Sequence, residues 1–157
     1  MKKIVETQKR ADGIMQSGRK RWTLFYGYQN DAQGWELRED FDHRPDLKEI
    51  KSIIISHINR KTDNRILSGM VWKGMPIWLS QENQINYKAF YDQAVHTKGA
   101  LLPIKFKFGT DEKSVYYDFT TLDDMEDFYT KILEWIQKSI SDGWVEKDGI
   151  NWTCFEE

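Results

Sequence analysis

The chain has one cysteine, three prolines and no long apolar run among its 157 residues. A lone Cys154 excludes an internal disulfide, and its neighbours supply neither metal-ligand spacing nor the surroundings of a nucleophile, so the chain fits a reducing compartment. The longest aliphatic run, Ile53–Ile55, is far too short to cross a bilayer. The opening MKKIVETQKR has no apolar stretch behind its basic residues, so neither a spanning segment nor a secretion signal is expected. Linkers rich in Pro, Gly or Ser, internal repeats and low-complexity tracts are also missing. Chemistry is equally sparse. No Gly-x-Ser-x-Gly elbow and no phosphate-binding glycine loop occur, and His43, His57 and His96 form no i, i+4 pair and have no cysteine partners. The expectation is a protein that is not an enzyme and needs no metal or cofactor.

Aromatic residues are abundant. Seven Trp, seven Tyr and eight Phe supply large buried areas where only 39% of the chain is hydrophobic, and this length can build a core unaided. The net charge of −2 conceals an asymmetry: residues 1–21 carry Lys2, Lys3, Lys9, Arg10, Arg19, Lys20 and Arg21 against Glu6 and Asp12, a local +5 that leaves −7 for the rest. A basic arm before an acidic body is the reading, and the weak apolar spacing of Ile4, Val5, Ile14 and Met15, broken by Gly13 and Gly18, predicts a mobile arm or marginal helix.

Beyond the arm the periodicity sharpens. Trp22–Tyr28 and Trp35–Phe41 read as strands across turn chemistry at Asn30–Gly34, a first hairpin. Pro45 and Asp46 open an amphipathic helix through Leu47, Ile50, Ile54 and Ile58, ending near Asn59, and Ile53 and Ile55 widen its apolar face enough to suggest contact with another subunit. Ile66–Leu79 reads as a second hairpin turning at Lys73-Gly74, with Gly74 supplying positive φ. Ser80 caps a helix to about Val95, which Gly99 breaks. Pro103–Phe108 and Val115–Phe119 are two further strands, and Thr121 with Asp124 starts the longest helix, for which Gly143 is a plausible terminator. The tail from Trp144 to Trp152 reads either as continuing helix or as a hairpin on Asp148-Gly149.

Three clusters compete for functional readings. Asp123, Asp124, Glu126 and Asp127 could share a cation, but they fall in the first turns of a helix, where the dipole favours acids. Arg19, Lys20, Arg21 and Trp22, with Phe25, Tyr26 and Tyr28, interleave basic and aromatic residues as single-stranded nucleic acid binding requires, though their alternation equally suits a sheet core. Trp72, Trp78, Trp135 and Trp144 could offer sugar a platform if exposed, and core packing otherwise.

The stretch TDNRILSGMVWKGMPIWLSQENQIN, residues 62–86, gathers a Thr-Asp pair, Gly69, Trp72, the Lys73-Gly74 turn, and a Ser80-started helix carrying Gln84 and Asn86. With Leu102-Pro103-Ile104, Phe119, Leu122 and the segment Trp144–Ile150, this order resembles, over about residues 50–152, the DUF4376 family, a small domain often appended to tail and tail-fibre proteins of tailed bacteriophages. Trp72, Trp78 and Tyr87 are heavier than the family's usual residues, and Gly149 stands where it has a helix former.

The fold expected is α+β, with short antiparallel hairpins packed on two or three amphipathic helices. Residues 1–21 form the arm, 22–45 a hairpin, and 46–157 a helix followed by a compact domain. The resemblance implies a structural virion protein, assembled in the host bacterial cytoplasm as a tail, fibre-attachment or baseplate component. Its partners would be other phage structural proteins and copies of itself, with no membrane, and no catalytic residues carry over. The expected contact residues are the seven basic residues of the arm with Ile53 and Ile55, while Gly69, Gly74, Ser80 and Thr121 are expected to be structural. A nucleic-acid-binding accessory protein is the second reading and a carbohydrate-binding receptor module the third.

Overall fold

The computed structural model describes residues 1–5, 9–29 and 34–156. In chain order the elements are β1 (Lys2–Val5), β2 (Gly13–Gly18), β3 (Arg21–Gln29), β4 (Trp35–Phe41), α1 (Leu47–Ser68), β5 (Met70–Trp72), β6 (Met75–Ile77), α2 (Gln81–His96), β7 (Ile104–Gly109), β8 (Ser114–Phe119), α3 (Leu122–Asp148) and a 3₁₀ turn at Trp152–Phe155. Antiparallel pairs beside helices make an α+β fold. The chain divides into two compact units, Met1–Asn59 with Val145–Glu157, and Arg60–Trp144, so the boundaries fall inside α1 and α3. No helix among the described residues is long and apolar enough to cross a membrane.

The first unit is an antiparallel sheet in the order β1-β4-β3-β2. Alternation along β3 and β4 sends Leu24, Tyr26 and Leu37 to one face, where they pack with Ile50, Ile54 and Ile58 of α1 and with Phe155. Asp46 starts α1 by accepting the Glu49 N–H at 2.7 Å, the cap expected from its position.

The second unit is built around aromatic rings. Phe119, Phe128, Phe106 and Phe108 form a cluster with Trp72 and Tyr87, with ring centroids 5.0–6.4 Å apart and mostly edge-on or tilted, as ring quadrupoles prefer. Ser80 caps α2 by accepting the Asn83 N–H at 3.2 Å, and Thr121 caps α3 by accepting that of Asp124 at 3.3 Å. The β5–β6 turn holds Lys73 at φ 48° and Gly74 at φ 75°, the two positive values of a type I′ hairpin, flanked by the pair Trp72 and Met75.

Several expectations need correction. Residues 1–21 are not an arm or a marginal helix: β1 pairs with β4 and β2 with β3, because edge strands draw stability from ladder hydrogen bonds and need little apolar patterning. Glu6–Gln8, within that segment, and Asn30–Gln33, where the first hairpin was expected to turn, lie outside the described residues. The division at residue 46 does not coincide with either compact unit. Helix α1 runs to Ser68 instead of ending near Asn59, since Thr62 and Ile66 continue the four-residue spacing from Ile58, and the second hairpin starts at Met70. Gly143 does not end α3, whose hydrogen-bonded pattern continues until the Gly149 N–H bonds Val145 O at 3.0 Å, so the tail is helix to Asp148. Ile53, half-buried, packs on the first unit's own core, and Ile55 is half-buried as well, so the wide apolar face of α1 is used internally at Ile53.

Candidate interaction surfaces

The sheet face of the first unit turned away from α1 is polar. Register places Lys2, Arg38, Asp40, Thr23 and Phe25 together there. Phe25 is buried, with the Arg10 guanidinium 4.2 Å and that of Arg38 5.4 Å from its ring centroid. Arg38 Nε donates to the fully buried Glu36 at 2.6 Å, Thr23 Oγ1 donates to Asp40 at 2.7 Å, and the Gly27 N–H donates to Asp12 at 2.7 Å. Burial raises the Asp12 carboxyl pKa, the Gly27 bond opposes that, and the nearby Glu36 charge adds to it. A cavity of 450 Å³ opens on this face, lined in part by Lys2, Arg10, Phe25, Arg38 and Asp40.

The basic set is therefore dispersed. Lys2 and Arg10 reach this face, Lys3 Nζ lies 4.0 Å over the Trp35 ring, and Lys9 is exposed. Arg19 and Lys20 occupy the β2–β3 turn with Arg21 next to them, all exposed. Phe25 and Tyr26 are buried on opposite faces of β3 and so closed to base stacking, while Trp22 and Tyr28 are half-buried.

In the second unit the acidic helix start is engaged. Asp124 accepts from Lys73 Nζ and, at 2.5 Å, from Tyr117 OH, while Asp127 accepts from Trp72 Nε1 at 2.9 Å. Burial alone would raise the Asp124 pKa, but the bonds from Lys73 and Tyr117 outweigh it and hold the carboxyl below its ordinary range, and the same contacts raise that of Lys73. Among the described residues no group of His, Cys, Asp or Glu is arranged to hold a metal. A groove of 420 Å³ beside these groups is lined by Lys73, Lys131 and Lys138, paired respectively with Asp124, Glu134 and Asp142.

A β-carbon at Gly69 would stand 2.7 Å from the Trp135 ring, Gly74 makes the hairpin turn, and Ser80 and Thr121 cap helices. The four tryptophans separate by environment. Trp72 is core, half-buried Trp135 donates to Arg65 O at 3.2 Å, and Trp78 and Trp144 are exposed. Trp78 lines a cavity of 510 Å³ with Lys107 of β7 and Thr110 and Asp111 of the β7–β8 turn. That turn read only as polar in the sequence, because nothing local says which strand it faces. Leu133, Ile140 and Trp144 fall seven and four apart on one side of α3, with Leu133 and Trp144 half exposed.

Comparison with protein-family models, curated proteins and solved structures gives no match.

Proposed function

We propose that this protein is a structural component of a tailed bacteriophage virion, a tail, fibre-attachment or baseplate subunit that acts by protein–protein contact. The observation carrying this reading is what the resembling residues do: Gly69, Trp72, Gly74 and Ser80 shape and cap one scaffold, and Gln84 Nε2 ties it to Leu79 O at 2.8 Å. Landmarks of that kind specify a shape to be presented, and the reading needs no reacting group. The apolar stripe Leu133–Ile140–Trp144 supplies surface of the type that subunit contacts cover. The basic N-terminal segment keeps nucleic acid as the second reading, with electrostatic attraction but with two of its four candidate stacking rings, Phe25 and Tyr26, buried.

Mass spectrometry of gradient-purified particles of the phage that encodes the chain tests the proposal. Stoichiometric protein in the particles is expected. Its absence from intact particles, with abundant protein in the infected-cell lysate, would overturn it.

A further inference from the structure

We propose that the second unit binds a neutral sugar ring in the cleft beside Trp78. The backbone here is held on both sides while the ring is left in solvent. Trp78 O accepts from Asn83 Nδ2 at 2.9 Å, the Leu79 N–H donates to Leu67 O at 2.8 Å, and Leu79 itself is buried in the core. The Trp78 side chain nonetheless stays 51% exposed. A rigidly placed, uncovered indole is a costly surface for a folded chain to keep, and a site built on fixed backbone loses little entropy when it binds.

Across the cleft the β7–β8 turn is equally fixed. Thr110 and Lys113 exchange backbone hydrogen bonds of 3.0 and 3.2 Å, and Gly109, at φ 92°, allows the close return, since a β-carbon there would stand 2.2 Å from Lys113 O. This geometry presents Asp111 and Lys107 to the same 510 Å³ cavity, which falls within the roughly 300–1,000 Å³ of small-molecule sites. Neither the Asp111 carboxylate nor the Lys107 ammonium has a hydrogen-bond or ion-pair partner among the described residues.

The ligand class follows from these groups. A pyranose has a face of C–H bonds that packs on an indole and a rim of hydroxyls, for which a carboxylate is an acceptor and an ammonium a donor. Ser68 and Thr110 add hydroxyls at the cleft. Asp111 repels an anion and Lys107 a cation in the same cleft, whereas the hydroxyls of an uncharged ring can bond to both. This site does not depend on the virion reading and stands or falls separately from it.

The test is NMR of the side-chain indole signals during titration with methyl β-glucopyranoside, methyl β-galactopyranoside and N-acetylglucosamine. Trp144, exposed and outside the cleft, is the internal control. The Trp78 signal is expected to shift saturably with at least one sugar, with a dissociation constant of about 1 mM for so small a ligand. Binding, read from the sugar's own proton signals, should be lost in Trp78→Ala and weaken severalfold in Asp111→Asn, and the wild-type titration should leave the Trp144 signal still. Three results would overturn the proposal: no shift with any of the three sugars up to about 50 mM, equal shifts at Trp78 and Trp144, or undiminished binding by a folded Trp78→Ala. A Trp78 signal that moves with protein concentration and not with sugar would also overturn it, assigning the ring to a protein contact.

Discussion

Gly143 of α3 faces Thr62 of α1 so closely that a β-carbon at 143 would stand 2.6 Å from Thr62 Oγ1. The approach is framed by Arg65 Nη1, which bonds Asp142 Oδ2 at 2.6 Å, and by Trp135 against Gly69. Two small side-chain positions thus set how near these helix segments come within the second unit.

Gly143→Ala is expected to cost about 1–3 kcal/mol despite alanine's better helix propensity, because a fixed helix cannot move aside for the added methyl. Thr62→Ala removes the clashing hydroxyl, so the double variant should recover much of the loss. Urea unfolding of the four proteins measures the coupling, and simple additivity would show that the contact is not the cause.

Gly74 has nothing within 4 Å of its would-be β-carbon, so a substitution there meets backbone strain alone. Gly74→Val should cost on the order of 1–3 kcal/mol, and Gly74→Asn clearly less, since Asn tolerates positive φ. Equal stability of the Val and Asn variants would contradict a type I′ turn.

Much of this was legible in the sequence. Ser80, Thr121 and Asp46 announced three helix starts, because a cap is a local bond whose partners lie three residues away. The Lys73-Gly74 turn was likewise local. The end of α1 was hidden because Thr62 and Asp63 look like a polar break until Gly143, far along the chain, is seen to receive Thr62. Gly143 itself read as a terminator because conformational freedom and closeness to a neighbour leave the same letter. Strands β1 and β2 were missed because partners, more than their own pattern, hold them. The cleft at Trp78 joins residues about 30 apart and left no periodic trace.

The Lys73–Asp124–Tyr117 network should show in the acid limb of stability. Asp124 has a folded pKa below its ordinary 3.8, so its contribution is present above that value and lost as pH falls through the folded pKa. Asp124→Asn should lower stability by about 1 kcal/mol at neutral pH, a modest figure because Lys73 is partly exposed. Unfolding curves of variant and wild type should converge in acid, and a gap that is constant with pH would point to packing instead.

Deleting residues 2–21 removes β1 and β2 from the first unit's sheet. The truncated chain is expected to lose cooperative unfolding of that unit, seen as a missing transition in calorimetry. An unchanged melting profile would mean that the two edge strands add nothing to the fold.

At His43, the Asp42 and Glu49 carboxylates lie 2.9 Å from the two ring nitrogens and raise the imidazole pKa above 6.5, with Asp42 the larger cause. Any stability from these pairs is present below that value and fades as pH rises through the folded pKa. The ring-proton titration midpoint should fall in Glu49→Gln, and no change would dismiss the second contact.

The two borders of the four-stranded sheet are guarded unequally. Along β2 the 3₁₀ turn lies alongside, where a β-carbon at Gly13 would stand 3.3 Å from Cys154 O, whereas β1 is the other outer strand and carries exposed Lys2 and Lys3. Lysines on an open strand repel an identical neighbour trying to extend the ladder. The same charges that suggest a docking arm in the sequence can therefore keep concentrated chains from zipping into aggregates.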